Sequence, residues 1–195
     1  MAKIPIENIL FIDIETVPMV SEYDALSDNF KAFWDKKSAY ISRNDDDPST
    51  LFDKAGIYAE FGKIVCISAG RVQNDYIKTK SYYSDDEKKL LQEFADDLSI
   101  FTRSIPNLYL CAHNGKEFDF PFIIRRMIIN QIPIPYILNT RNKNRYDLPF
   151  IDTMEMWKFG DYKHFTSLAL LCELFNIPTP KDDIDGSEVA RVYYQ

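Results

Sequence analysis

The stretch Ile9-Leu10-Phe11-Ile12-Asp13-Ile14-Glu15-Thr16 predicts a buried β-strand in which only Asp13 and Glu15 interrupt an apolar run. Side chains i and i+2 leave the same face of a strand, so these two carboxylates point the same way, about 7 Å apart at Cα. Two like charges beside an apolar strand favour a cation between them, and a hard divalent ion prefers oxygen ligands. Alternatively, both acids are solvated at an exposed strand end.

Composition indicates an ordinary globular protein. The chain has 195 residues, enough for one domain with a sizeable core, and 46% of them are hydrophobic. No apolar run reaches the length that spans a membrane, and the N-terminus lacks the apolar segment of a signal peptide. Cys66, Cys111 and Cys172 are too widely spaced to predict a disulfide framework or a thiolate zinc site. We therefore expect a cytoplasmic protein that does not contact membranes.

The net charge of −7 excludes a protein that holds duplex nucleic acid by bulk electrostatics. It does not exclude an enzyme whose acids hold metal ions, because bound ions supply positive charge locally. Composition alone leaves the function open.

The remaining periodicity predicts strands and helices in alternation. Strands are expected at 63–70, 75–83, 107–112 and 150–152, and helices at 84–98 and 118–130 and after Thr166. The first of these helices begins with a capping box, Ser84 to Glu87, the second turns Ile128 inward, and Thr166 caps the third. The polar segment from Ser21 to Tyr58 predicts an insertion with one short amphipathic helix. This order predicts an α/β sandwich on a central mixed sheet.

A second polar cluster follows the strand at 107–112. Its sequence is His113-Asn114-Gly115-Lys116-Glu117-Phe118-Asp119-Phe120-Pro121-Phe122. Asn-Gly predicts a turn, and Asp119 falls in the first helical turn, where the helix dipole favours the ionised carboxylate. Alternatively, Asn114 only shapes the turn and Asp119 is an ordinary N-terminal acid.

Together, the two segments resemble the first two motifs of the three-carboxylate 3′–5′ exonucleases. Residues 11–18 are similar to the first motif of the predicted 3′–5′ exonuclease family related to the proofreading domain of family B DNA polymerases. Residues 114–122 are similar to its second, an Asn-Gly-x-x-Phe-Asp-x-Pro pattern, and 59–65 and 182–189 add support. The resemblance implies a ribonuclease H-like three-layer sandwich, with helices flanking a central mixed sheet. We expect one such domain over 1–195, with an insertion at about 21–58.

The resemblance also implies an activity. Such enzymes hydrolyse phosphodiester bonds at single-stranded DNA or RNA 3′ ends with two divalent cations, Mg²⁺ or Mn²⁺. The match implies that Asp13 bridges both ions, that Glu15 binds one, and that Asp119 completes the second site. It places Thr16, Asn114 and Phe118 in substrate binding. Phe118 could stack on a base or belong to the core.

This chain departs from the family pattern at the third motif. That motif requires a late Asp, preceded by a Tyr four residues earlier or a His five residues earlier, and the chain reaches Gln195 without a suitable one. We expect a chain truncated before that motif. Two alternatives stay open: Asp152 or Asp185 substitutes, or the chain is a catalytically silent nucleic-acid-binding domain of the same fold. A phosphohydrolase of small nucleotides is a weaker alternative.

Two other residues have structural interpretations. Asp152, near the end of a predicted strand, is typical of an acid that holds a backbone turn. Arg126, in the helix at 118–130, is expected to form a surface salt bridge.

Overall fold

The structure is a computed structural model that describes residues 4–42, 46–144, 147–161, 165–178, 186 and 188–195. The chain divides into two compact units. The first is formed by Met1–Ile14 and Cys66–Asp183, and the second by Glu15–Val65 and Ile184–Gln195. The predicted single domain with an insertion stays a prediction.

A mixed five-stranded sheet organises the chain. Its strands are β1 (Ile9–Pro18), β2 (Gly62–Gln73), β3 (Tyr76–Tyr83), β4 (Tyr109–Ala112) and β5 (Phe150–Asp152). They lie in the order β3-β2-β1-β4-β5, with β4 parallel to β1 and to β5, and with β2 antiparallel to β3. Asn74 and Asp75 join β2 to β3 with φ of 49° and 64°, the positive angles that a tight two-residue hairpin requires. The predicted mixed sheet is confirmed.

Six α-helices lie in the described part of the chain. They are α1 (Asp28–Ile41), α2 (Glu87–Ser104), α3 (Asp119–Ile129), α4 (Thr153–Lys158), α5 (Leu168–Leu174) and α6 (Val189–Tyr193). None of the described helices is long and apolar enough to cross a membrane. Helix α4 was not predicted, because six residues are too few to show a helical period.

The two faces of the sheet differ in burial. Leu10, Leu110 and Phe150 are in register on neighbouring strands and are at most 7% exposed. The ring of Phe120 in α3 packs on Phe150, with centroids 4.4 Å apart. Phe11 leaves the other face, where it is 38% exposed. The core of the first unit therefore lies on the α3 side of the sheet.

A buried ion pair joins α2 to α3. Arg126 donates to both carboxylate oxygens of Glu87, from Nε at 2.8 Å and from Nη2 at 2.5 Å, and Asn130 donates to the same carboxylate at 2.9 Å. Arg126 and Glu87 are 6% and 9% exposed, so the expected surface salt bridge is wrong. Ile128 is 52% exposed, contrary to the prediction, because Ile123, Arg126 and Met127 form the buried side of this part of α3.

Helix caps also differ from the prediction. Asp86, not Ser84, caps α2 by accepting from Lys88 N and Lys89 N, since the carboxylate of Glu87 is engaged by Arg126. Ser167, not Thr166, caps α5 by accepting from Leu170 N. A cap one or two residues from the expected one is a common uncertainty of helix ends.

The second unit has its own aromatic core. Trp34 of α1 is fully buried, packs edge-on against Phe52 and Phe61, and donates from Nε1 to the carbonyl of Pro48 at 2.7 Å. The predicted amphipathic helix of the insertion is therefore present. Its neighbour Phe33 is 61% exposed, because successive side chains point about 100° apart around an α-helix.

Candidate active site

Asp13 lies on β1 between two residues that face the core. Ile12 and Ile14 are 4% and 6% exposed, whereas the Asp13 side chain is exposed on the same side as Phe11. With His113 it lines a cavity of about 690 Å³. Although the side chain is open to solvent on this side, protein atoms surround much of the carboxyl, and this partial burial raises its pKa. The strand thus presents one carboxylate to a cavity that disfavours its uncompensated charge.

Asp119 is the first residue of α3 and is 3% exposed. Its pKa is raised to about 7, first by burial and then by the negative charge of Asp13. Backbone N–H groups of Asp119 and Ile14 donate to the carboxyl and lower the pKa, while the charge of Asp152 raises it. The start of the helix still favours the ionised form through the N–H of Asp119, but burial and the like charge outweigh it, so the net pKa is raised. The fold therefore brings Asp13 and Asp119 within electrostatic reach of each other.

The turn between β4 and α3 depends on Asn114 and Gly115. Asn114 has a φ of 63°, a left-handed conformation that Asn adopts more readily than most residues. Its carbonyl accepts from the N–H groups of Glu117 and Phe118 at 3.1 and 3.0 Å. A Cβ on Gly115 would lie 2.3 Å from the Cβ of Ala112. The backbone of Asn114 thus shapes the turn, and a contact of its side chain with substrate stays a prediction.

Phe118 precedes Asp119 and is half-buried. Its ring lies 5.5 Å from that of Phe122, at an interplanar angle of 54°. One part of the ring therefore packs within α3, and the other part is accessible. This burial is compatible with a base stacking on the accessible part.

Glu15 and Thr16 continue β1 and belong to the second unit. Both side chains are half-buried. Their assignment to metal binding and substrate binding stays a prediction.

Asp152 is a buried acid whose distant hydrogen-bond partners the sequence did not reveal. It is 3% exposed, and its carboxylate accepts four backbone N–H groups. Two belong to its own helix α4, Met154 at 2.9 Å and Glu155 at 3.3 Å, and two belong to the turn, Asn114 at 3.0 Å and Lys116 at 3.1 Å. The interpretation of Asp152 as an acid that holds a turn is confirmed. The capping spacing of Asp152 and Glu155 is the signal that could have revealed the helix.

The donor set fits a divalent cation at two carboxylates. Burial raises the pKa of both Asp13 and Asp119, and the charge of Asp13 raises that of Asp119 further; a bound cation would offset these effects. Within the described ranges, no three His, Cys, Asp or Glu side chains are grouped closely enough to hold a metal ion. Asp185, the other proposed substitute ligand, lies outside the described residues.

Comparison with known proteins finds a family model that matches most of the chain. Residues 57–195 match the model of the predicted 3′–5′ exonucleases related to the exonuclease domain of PolB. Exonucleases of this kind generally use divalent metal ions. No curated protein sequence matches the chain.

Solved structures show the fold. The family B DNA polymerase from the hyperthermophilic archaeon Pyrobaculum calidifontis is similar over 96% of this chain, with a TM-score of 0.56 and 13% identity. This chain spans 21% of that polymerase, about a fifth of its length. The zinc-bound ExoI–ssDNA complex of E. coli is similar over 77% of this chain and 28% of its own, with a TM-score of 0.41 and 12% identity. The predicted ribonuclease H-like α/β fold is confirmed.

Proposed function

We propose a function from the premise that this chain belongs to the family of predicted 3′–5′ exonucleases related to the exonuclease domain of PolB. The protein removes nucleotides from the 3′ ends of single-stranded DNA or RNA by metal-dependent phosphodiester hydrolysis. Its cofactors are two divalent cations, Mg²⁺ or Mn²⁺, and its site of action is the cytoplasm.

The observation that supports this proposal is the proximity of two carboxylates from distant parts of the chain. Asp13 comes from the centre of the sheet and Asp119 from the start of α3, and the charge of the first raises the pKa of the second. Such a pair is costly in a folded protein unless a cation offsets the charges, and acids with perturbed pKa values are typical of functional sites. Both residues fall in the segments that resemble the family motifs.

Each residue has a role in this proposal. Asp13, Glu15 and Asp119 hold the ions, which when bound activate the attacking water and stabilise the leaving 3′ oxygen. Asp119 must lose its proton to bind an ion, and its raised pKa makes this step depend on pH. Asn114, Phe118 and Thr16 position the terminal nucleotide, with the accessible part of the Phe118 ring stacking on a base without regard to sequence.

The test is degradation of a 5′-labelled single-stranded oligonucleotide in Mg²⁺ or Mn²⁺. We expect a ladder that shortens from the 3′ end, no ladder with Asp13→Ala, and an unchanged ladder with Asp86→Ser as the control for loss of an aspartate elsewhere. A DNA and an RNA version of one sequence determine the preferred sugar. A wild-type protein that binds the oligonucleotide without cutting it would instead support the silent binding domain. Turnover of mononucleotides alone would support the small-nucleotide phosphohydrolase.

A further inference from the structure

Asp152 connects the end of the sheet to the turn that precedes α3. Its Oδ1 accepts from Asn114 N at 3.0 Å and its Oδ2 from Lys116 N at 3.1 Å, while Oδ1 also caps α4. All of these donors are backbone groups, so the contacts fix the path of the chain and not merely a side chain. The carboxylate is 3% exposed, which protects these bonds from competition with water.

Two side-chain contacts strengthen the same connection. His113 Nδ1 and Thr153 Oγ1 are 2.9 Å apart, and Lys116 Nζ donates to Glu155 Oε2 at 2.7 Å. Thr153 and Glu155, which follow Asp152, therefore also hold the turn against the first turn of α4.

The turn also holds the start of α3. The carbonyl of Gly115 accepts from Phe120 N at 2.9 Å, and the carbonyl of Asn114 accepts from Phe118 N at 3.0 Å. These bonds bracket Asp119, which lies between the two donors. A continuous series of hydrogen bonds thus runs from Asp152 through the backbone of Asn114–Lys116 to the residues on either side of Asp119.

We propose that Asp152 is a positioning residue of the exonuclease site, which fixes the turn 114–116 and through it the carboxylate of Asp119. This inference rests on the proposed function, since it assigns to Asp152 the orientation of a metal ligand. It replaces the hypothesis that Asp152 substitutes for a missing ligand, because its carboxylate already accepts four N–H groups. Residues that orient metal ligands typically change metal affinity or activity by about 10–100-fold when they are replaced.

Three variants separate positioning of the turn from the loss of a charge and from the loss of a helix cap. Asp152→Asn keeps an oxygen for Asn114 N and for the α4 cap but places an amide group opposite Lys116 N–H. Asp152→Ser keeps a cap for α4 but is too short to reach the turn. Both remove the charge equally. Asp86→Ser is the matched control, since Asp86 accepts from Lys88 N and Lys89 N of its own helix, and within the described ranges its carboxylate accepts from no turn elsewhere in the chain.

The measurements are Mn²⁺ affinity by titration calorimetry, kcat and KM on the labelled oligonucleotide, and the Tm of each variant. We expect kcat and Mn²⁺ affinity to fall about tenfold in Asp152→Asn and about 100-fold in Asp152→Ser, with KM within about threefold of wild type. Asp86→Ser should stay within about twofold of wild type in kcat and Mn²⁺ affinity, since Ser also caps a helix and the substitution lies at the start of α2. Losses of kcat and Mn²⁺ affinity that increase from Asp152→Asn to Asp152→Ser, without a parallel fall in Tm, would support positioning.

Two results would overturn the inference, and they differ in what they say about the function. In the first result, the wild type binds Mn²⁺ or cuts the oligonucleotide, but kcat and Mn²⁺ affinity fall equally in Asp152→Asn and Asp152→Ser, or fall no more than in Asp86→Ser. Asp152 then does not position the site, and the proposed function stands. If the wild type neither binds Mn²⁺ nor cuts, the proposed function fails and this inference fails with it. If the wild type binds Mn²⁺ without cutting, the order of the Mn²⁺ affinities decides.

Discussion

The carboxylate of Asp13 raises the pKa of Asp119, although one belongs to the central strand β1 and the other to the first turn of α3. Burial contributes most to this shift, and the N–H of Ile14, next to Asp13 in the chain, donates to the Asp119 carboxyl. Strand β1 therefore supplies both a like charge that disfavours ionised Asp119 and a hydrogen bond that favours it. A bound cation would remove the repulsion between the two acids.

Replacing Asp13 should change the titration of Asp119. Asp13→Asn removes the like charge but keeps the side-chain size, so the pKa of Asp119 should fall below about 7 while burial keeps it above its ordinary value of 3.8. A titration followed by the carboxyl ¹³C shift of Asp119 measures this. An unchanged pKa in Asp13→Asn would show that the two carboxylates do not interact.

Ionisation of Asp119 should destabilise the metal-free protein as the pH rises, whereas ionisation of most acids stabilises a folded protein. The pKa of Asp119 is 3.8 in the unfolded chain and about 7 in the folded protein, so the protonated form stabilises the fold fully below about pH 4. This contribution is lost as the pH rises toward 7. Asp119→Asn should therefore raise the Tm at pH 7 in the presence of a chelator and change it little at pH 4. Equal effects of the substitution at both pH values would contradict the raised pKa.

The buried pair of Glu87 and Arg126 should be costly to break on one side. Glu87→Ala leaves the guanidinium of Arg126 buried without its carboxylate, and we expect a loss of about 3–5 kcal/mol in the free energy of unfolding. The control is Glu188→Ala, which removes an exposed ion pair with Arg191 and should cost less than about 0.5 kcal/mol. Urea unfolding of both variants tests the comparison. Similar losses would mean that burial of the α2–α3 pair does not matter.

Gly115 should not tolerate a side chain. Its Cβ would meet that of Ala112 at 2.3 Å, so Gly115→Ala must displace β4 or the turn and should cost about 1–3 kcal/mol in unfolding free energy. Gly186→Ala is the control, because no atom of the described residues lies within 4 Å of its Cβ. We further expect Gly115→Ala, but not Gly186→Ala, to weaken Mn²⁺ binding, since the turn is displaced next to Asp119.

The sequence predicted the elements whose pattern is local. Strand β1, the hairpin of β2 and β3, and helices α2 and α3 all have long apolar runs or a clear helical period, and the two motifs identified Asp13 and Asp119 as candidates. The features that the sequence did not predict depend on contacts between residues that are distant in the sequence. The burial of Arg126 is decided by Glu87, and the raised pKa of Asp119 is decided by Asp13 and by packing. Asp152 looked like a local turn residue, since its hydrogen bonds to residues 114 and 116 arise only after β4 and β5 pair.

The most direct measurement of the central claim is a double-mutant titration with Mn²⁺ at neutral pH. The claim that Asp13 and Asp119 hold one ion together predicts that wild type binds Mn²⁺, and that Asp13→Asn and Asp119→Asn each lower the affinity at least about tenfold. It also predicts that the double variant is hardly weaker than either single one, because the first substitution already destroys the shared site. Wild type that does not bind Mn²⁺, or single variants that bind it as well as wild type, would contradict the claim.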